Sequence, residues 1–158
     1  MISATLALHR RRQRIERLFA IARNSDPLEQ QPPLSQFLCV QASGFIEKSV
    51  KDAFAEFALS HCRKEVGEFV GARLRRYRNF NSEQLVQLVR DHSIEWADQF
   101  STFLGDRYRN AIDSIYNNRN QIAHGIDVGI GLVQIRGYYD DAGKVVDYLF
   151  TSLLGLTP

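Results

Sequence analysis

Apolar residues recur at helical spacing along most of the chain, and the clearest stretch begins near Leu34. Eight apolar positions in it form one broad stripe on a helix: Leu38, Ala42, Phe45, Ile46, Val50, Ala53, Phe54 and Phe57. Charged residues four apart, such as Glu47 and Lys51, occupy the remaining surface and add helix-stabilising pairs. We therefore predict a long second helix from about Leu34, with a helical pattern that continues past a break near His61 to Tyr77.

The first and middle helices are marked by signals at their ends. A helix over about residues 3–23 is followed by NSDPLEQQPP, residues 24–33, whose prolines predict a loop. The stretch RNFNSEQ predicts another loop, which ends in a helix cap at Asn81 or Ser82. The stretch DHSIEW begins a further helix that carries Trp96. Gly105 is predicted to end that helix, and Asp106 to begin the next.

Two more helices are predicted toward the C-terminus. The residues Tyr108, Ile112, Ile115, Arg119 and Ile122 are spaced by four, three, four and three, which puts them on one helix face. The glycine that follows, at position 125, suits a left-handed C-cap. The tail has apolar residues at heptad spacing: Leu132, Ile135, Tyr139, Ala142, Val146, Leu149 and Leu153. Such a seam packs either against the protein's own core or against a partner.

These patterns predict an all-α fold, a single-domain helical bundle of about six to seven helices over residues 1–158. Its parts are a basic N-terminal helix at 1–23, the proline-containing loop at 24–33 and a core bundle at 34–155. With 158 residues, 44% hydrophobic and 24% charged, the chain has the composition of a soluble globular domain that can bury its own core. Its apolar runs are too short to span a bilayer, so we expect no membrane association.

Charge is unevenly distributed although the net charge is only +2. Of the 20 basic residues, 16 are arginine, and residues 1–23 contain six arginines against one acid. A second cluster comprises Arg73, Arg75, Arg76 and Arg78. Arginine makes planar, bidentate contacts to phosphate, so these clusters suit nucleic-acid binding, and we predict RNA contacts for the second one. The alternative is an ordinary solvated basic surface.

The cysteines and most histidines carry no metal or redox signature. Cys39 and Cys62 lie outside any CxxC pattern and are expected to be reduced thiols, which favours a cytoplasmic location. His9, His61 and His92 lack metal-ligand spacing with any acid or cysteine. We therefore predict no metal site and no cofactor.

The remaining candidate catalytic residues lie in or beside the stretch RNQIAHG, residues 119–125. Arg119 is a charge on an otherwise apolar stripe and needs a carboxylate, a protein interface or a ligand phosphate as its partner. His124 can exchange protons near neutral pH, an arginine can stabilise charge on a phosphate, and Asn120 can orient either one. Tyr116, one turn before Asn120, can stack a base. The alternative is a plain helix end, with His124 and the glycine serving as a cap.

The motif and its flanks resemble a known family. NNRNQIAHG at the end of a helix is similar to the signature of the HEPN superfamily, and its IAHG ending resembles the RiboL-PSP-HEPN branch. LCVQASGFIEKSVKD and IGLVQIRGYYDDAGKVVDYL resemble that branch's second and final helices, so the likeness covers about residues 34–155. Where the family leads us to expect a serine or threonine cap on the last helix, this chain has Gly131.

This resemblance implies an all-α fold, a homodimer and RNA as the partner. Many members are metal-independent endoribonucleases of toxin–antitoxin, anti-phage or RNA-processing systems, whereas others only bind RNA, nucleotides or proteins. It implies catalytic roles for Arg119 and His124, with Asn120 as the accompanying polar residue. Glu47 matches the glutamate of the second helix and is expected to pair with Arg119. A ribonuclease held in check by an antitoxin or regulatory protein is the leading hypothesis, and a non-catalytic interaction module is the alternative.

Overall fold

The computed structural model describes residues 2–157, and within them the fold is all-α, as predicted. Six α-helices are followed by one π-helical segment: α1 Ala4–Arg23, α2 Gln31–His61, α3 Lys64–Leu74, α4 Ser82–His92, α5 Ile94–Ala123, α6 Leu132–Asp147 and the π-helix Tyr148–Leu153. The long α2 is the centre of the bundle, since it contacts α1, α3, α5 and α6. Within α5, Gly105 has a φ of 47° and a ψ of −153°, and this conformation interrupts the helix. The residue therefore separates two helical segments, as its position in the sequence predicts.

Helix α1 is anchored to the bundle by apolar and ionic contacts. Its inner face buries Leu8, Ile15 and Phe19. Two of its arginines are held by acids of other helices, because Arg11 pairs with Asp52, and Arg12 donates to Asp147 Oδ1 at 2.6 Å and to the Gly143 carbonyl at 3.0 Å. These two members of the N-terminal arginine cluster therefore fasten the helix to α2 and α6.

Helix α2 begins at Gln31, three residues earlier than predicted, and includes Pro32 and Pro33 in its first turn. Proline lacks an N–H, but the first turn has no acceptor for that N–H, and the fixed φ of proline suits a helix start. The predicted break near His61 is present, because α2 ends there and Cys62 is extended. Helix α3 then stops at Leu74, before the predicted limit at Tyr77.

The N-terminal cap predicted at Asn81 or Ser82 is present at the start of α4. Asn81 accepts from the Gln84 N–H at 2.8 Å, and the Gln84 side chain accepts from the Asn81 N–H at 3.0 Å, which forms a capping box. The Asp113 carboxylate of α5 accepts from both the N–H and the hydroxyl of Ser82, at 2.7 and 2.8 Å. These bonds tie the start of α4 to the C-terminal half of α5.

The seam of the tail packs against the protein's own core. Six of its seven positions are buried: Ile135, Tyr139, Ala142, Val146, Leu149 and Leu153. Tyr139 lies between Phe19 of α1 and Phe45 of α2, with ring centroids 5.5 and 5.3 Å apart. The seam is therefore occupied within one chain. None of the helices described between residues 2 and 157 is long and apolar enough to cross a membrane.

Candidate active site

The motif RNQIAHG closes α5 in a glycine-dependent cap. Gly125 has a φ of 74°, its N–H donates to the Ile122 carbonyl at 3.0 Å, and the Ile126 N–H donates to the Gln121 carbonyl at 2.9 Å. This double bonding pattern is a Schellman motif with His124 as the C-cap residue. The cap fixes the backbone of His124 while leaving the residue exposed to solvent. Its imidazole has no hydrogen-bond or ion-pair partner among the described residues.

Arg119 lies where the apolar stripe of α5 reaches the surface. Ile112 and Ile115 are 0% and 1% exposed, whereas Arg119 is only half-buried. No carboxylate of residues 2–157 lies within 4.0 Å of its guanidinium. Within the described chain, its one side-chain hydrogen bond is a long contact of 3.5 Å from Nη1 to Asn120 Oδ1. The sequence places this charge on a buried face, but from Arg119 to Ile122 that face is only partly buried, so the guanidinium reaches solvent and needs no internal partner.

Glu47 does not pair with Arg119, which corrects the expectation from the sequence. Its Oε1 accepts from Lys51 Nζ at 2.6 Å and its Oε2 accepts from the Asn79 N–H at 2.7 Å. Burial alone would raise the pKa of Glu47, but these two hydrogen bonds and the positive charges of Lys51 and Arg78 outweigh it and lower the pKa below its ordinary value. Both oxygens are thus committed to groups other than Arg119.

Asn79 connects α2 to the motif, although the sequence did not single it out. It is 7% exposed and is the one non-glycine residue of the described chain with a positive φ, 46°. Its Oδ1 accepts from the Ser43 hydroxyl at 2.5 Å, and its Nδ2 donates to Asn120 Oδ1 at 2.8 Å. The signal that was available is an asparagine in the RNFN loop, since asparagine tolerates the left-handed conformation better than other non-glycine residues.

These bonds determine which way the Asn120 carboxamide points. Its Oδ1 accepts from Asn79 and, more weakly, from Arg119. The Nδ2 group makes no hydrogen bond among the described residues and is left as a donor beside the Arg119 guanidinium. Two groups that donate to an anion are therefore adjacent on the last turns of α5, one turn from an exposed imidazole.

The second arginine cluster divides between two surfaces. Arg78 adjoins the motif network, because its charge acts on Glu47 and its neighbour Asn79 bonds to Asn120. Arg73 and Arg76 instead line a cavity between α3 and α4. The fourth member, Arg75, is exposed, and its carbonyl accepts from Arg78 Nη1 at 3.1 Å. The cluster thus extends from the motif toward that cavity.

Two further residues border the motif. Tyr116 is half-buried on α5, one turn before Asn120, and its hydroxyl has no hydrogen-bond partner in the described chain. Cys39 of α2 lies beneath this helix; burial raises its pKa to about 12, although the backbone N–H of Arg119 acts in the opposite direction. Within residues 2–157 no three His, Cys, Asp or Glu side chains are grouped closely enough to hold a metal ion.

A comparison with protein families shows that residues 7–155 match the RiboL-PSP-HEPN family. No curated protein and no solved structure matches the chain. The match covers nearly all of the chain, from the first turn of α1 to the end of the π-helix, and includes every residue of the site described above. The chain therefore belongs to the RiboL-PSP-HEPN family of the HEPN superfamily, whose fold is associated with RNA.

Proposed function

We propose that this protein is a metal-independent endoribonuclease that acts as a toxin or as an anti-phage defence effector. The observation that carries the proposal is the arrangement at the end of α5. There, an arginine with no acidic partner among residues 2–157, an amide donor held by Asn79 and an exposed histidine share the last two turns. Family membership supports RNA as the partner.

The proposed reaction uses only side chains of this site. The ribose 2′-oxygen attacks the adjacent phosphorus, the P–O5′ bond breaks, and the products are a 2′,3′-cyclic phosphate and a free 5′-hydroxyl. One proton leaves the 2′-OH and one reaches the 5′-oxygen, and His124 carries one of these transfers as base or acid. Arg119 and the Nδ2 group of Asn120 donate to the phosphoryl oxygens, whose negative charge increases in the transition state.

A two-fold dimer would supply the second proton carrier. One imidazole performs one transfer at a time, so two His124 side chains brought together across an axis would serve as base and acid. Two apolar residues that follow the motif are exposed in the single chain, Ile126 at 53% and Val133 at 88%, and an interface would cover them. The buried seam of α6 contributes nothing to this interface. Sedimentation that shows only monomer at micromolar concentration, with cleavage intact, would contradict the dimer.

Cleavage is tested with purified protein, single-stranded RNA and a metal chelator. We expect the wild type to produce 2′,3′-cyclic phosphate ends and His124→Ala to produce them ~10²–10⁴-fold more slowly. A substrate with a 2′-deoxy nucleotide at the scissile position should resist cleavage there, because the attacking oxygen is missing. Unimpaired cleavage of that substrate would rule out the mechanism. Growth arrest on expression of the wild type but not of His124→Ala, relieved by a protein encoded beside it, would support the toxin role.

The second candidate function is a non-catalytic HEPN module that binds RNA, nucleotides or a protein. The observation that favours it is the isolated imidazole: no carboxylate or carbonyl within the described chain sets the tautomer or orientation of His124. Under this alternative, wild type and His124→Ala bind RNA equally well and neither cleaves it. RNA binding without cleavage, measured both with and without a partner protein, would therefore support the non-catalytic module.

A further inference from the structure

A cavity of about 700 Å³ lies between α3 and α4, outside the motif. Its apolar lining comprises Phe69, Val70 and Leu74 of α3 with Leu88 of α4. The volume falls within the range of ~300–1,000 Å³ that is typical of small-ligand sites. The space is large enough for a planar ring system of the size of a nucleobase.

Phe69 is the exposed aromatic residue of this cavity. It is 64% exposed, so its ring is accessible to a ligand. Stacking on an aromatic side chain strengthens the binding of any of the nucleobases, because every base has a π-face. The ring is thus suited to an unpaired base rather than to a paired one.

Charge at the cavity favours an anion. Arg73 and Arg76 are exposed members of the lining, and no carboxylate of residues 2–157 lies within 4.0 Å of either one. The single acid of the lining, Asp91, already accepts from Gln87 Nε2 at 2.7 Å and from the Tyr77 hydroxyl at 3.5 Å. Two free guanidinium groups beside one committed carboxylate complement a phosphate-bearing ligand.

The cavity also presents a polar group that can read a base edge. The Nδ1 atom of His92 bonds to the Leu88 carbonyl at 2.9 Å, which makes Nδ1 the protonated atom of the neutral ring. Its Nε2 atom is then an acceptor. The ring is held in place by Phe54, at a centroid distance of 4.6 Å.

The cavity and the motif are adjacent along the chain. Tyr77 lines the cavity, and Asn79, two residues later, bonds to Asn120. Two residues span at most about 7 Å of backbone, so the edge of the cavity lies close to the last turns of α5. Arg78 stands between them and is exposed. A single strand whose scissile phosphate contacts Arg119 can therefore pass over Arg78 into the cavity.

We propose that this cavity is a subsite for single-stranded RNA, in which Phe69 stacks an unpaired base near the scissile phosphate while Arg73 and Arg76 contact flanking phosphates. The inference rests on the proposed ribonuclease function and extends it to the recognition of unpaired substrate. It predicts that RNA affinity depends on an aromatic ring at position 69 and on two cations that lie outside the catalytic motif.

The first measurement is fluorescence anisotropy of a fluorescein-labelled, unstructured oligoribonucleotide, titrated with protein that carries His124→Ala to prevent cleavage. In that background Phe69→Ala should raise the Kd by about 5-fold or more, which corresponds to the ~1 kcal/mol or more of one base stack. Phe69→Trp should restore binding. Ile21→Ala, a change at a side chain of α1 that is 57% exposed, is the matched control and should leave the Kd unchanged. Double-stranded RNA should be insensitive to Phe69→Ala.

The second measurement is the salt dependence of binding. Removing both arginines by Arg73→Ala with Arg76→Ala should make the slope of log K against log salt less negative by about 1.4, at ~0.7 per phosphate contact on a single strand. Arg63→Ala is the control, since Arg63 is an exposed arginine of the same region whose guanidinium lies 3.8 Å from Glu65. A loss of packing alone would not change this slope.

The outcomes separate the subsite from the nuclease. If wild-type protein fails to cleave RNA but the affinity and slope change as expected, the subsite stands and the nuclease proposal fails. If the wild type cleaves RNA but neither the RNA affinity nor the salt slope changes, the proposed subsite is wrong. It is also wrong if Phe69→Ala alters only the sedimentation coefficient, because the cavity would then be a protein contact. In an active enzyme, Phe69→Ala should raise KM with little change in kcat.

Discussion

Replacing Asn79 should weaken the candidate site without touching the motif itself. The change to examine is Asn79→Gly. Glycine adopts the φ of 46° without strain and keeps the backbone N–H that donates to Glu47. What is lost is the side-chain bond from Ser43 and the side-chain bond to Asn120, at 2.5 and 2.8 Å.

The size of the effect on stability follows from those two bonds. Each contributes about 0.5–1.5 kcal/mol, so the free energy of unfolding should fall by roughly 1–3 kcal/mol. In a protein of this length that lowers Tm by roughly 2–12 °C. Asn79→Ala should be less stable than Asn79→Gly, because alanine in the left-handed region adds ~1–2 kcal/mol of strain.

The effect on catalysis comes from Asn120. Without Asn79 its carboxamide is free to rotate, and the Nδ2 donor is no longer held toward a phosphate. A fixed donor to a developing oxyanion is worth up to ~10²–10³ in kcat, so we expect kcat to fall by about tenfold or more. In an Asn120→Ala background the same change should have no further effect on kcat, because the group it positions is already gone.

The matched control is Asn81→Ala, two residues away in the same loop. It removes the α4 cap and costs a comparable ~0.5–2 kcal/mol, but its side chain bonds to Gln84 and not to the motif. Unfolding is followed by circular dichroism and cleavage by gel analysis on the same preparations. If Asn81→Ala reduces kcat as much as Asn79→Gly at equal stability, the loss reflects general destabilisation and the positioning role is refuted. An undiminished kcat in Asn79→Gly would refute it as well.

Three further predictions concern the motif and its surroundings. His124→Ala and Arg119→Ala should each lower RNA cleavage by ~10²–10⁴-fold. Each should change the unfolding free energy by less than ~1 kcal/mol, since neither side chain has an acidic partner in the described part of the chain. A normally folded His124→Ala protein that cuts RNA at the wild-type rate would contradict this. Because the pKa of Glu47 is lowered in the folded protein, its carboxylate stabilises the fold above the unfolded pKa. This contribution is lost as the pH falls through the folded pKa. Below about pH 4.5, the free energy of unfolding in urea should therefore depend less on pH for Glu47→Gln than for the wild type. Exposed Cys62 should react rapidly with a thiol reagent, whereas buried Cys39, whose pKa is raised to about 12 by burial, should react only on unfolding; two rapidly reacting thiols in the native protein would disprove the burial argument.

Local signals in the sequence were sufficient for the helices and their ends. Helix α1 begins one residue from its predicted start, Asn81 forms the predicted cap, and Gly125 takes the left-handed C-cap conformation at the predicted end of α5. These features depend on residues within a few positions of one another, because caps and helix periodicity are short-range effects. The family resemblance, carried by contiguous segments, is likewise confirmed by the match over residues 7–155.

Pairings between distant segments were decided by the tertiary structure alone. The sequence suggested that Glu47 would meet Arg119, but packing brings the Asn79 N–H to one oxygen of that carboxylate, while the other oxygen accepts from Lys51, the i,i+4 neighbour that helix spacing predicts. The spacing of the α5 stripe gave no indication of the turn from which its face is only partly buried, so Arg119 was expected to be more buried than it is.

The structure also decided what the tail seam and the arginine cluster contact. Heptad spacing is compatible with an internal core or with a partner helix, and the seam of α6 is buried because α1, α2 and α5 pack against this helix. Arg73 and Arg78 are five residues apart, yet they serve different surfaces, since α3 ends between them at Leu74 and the chain turns. Helix periodicity specifies which side chains share a face, whereas the element that covers each face depends on how the helices pack in three dimensions.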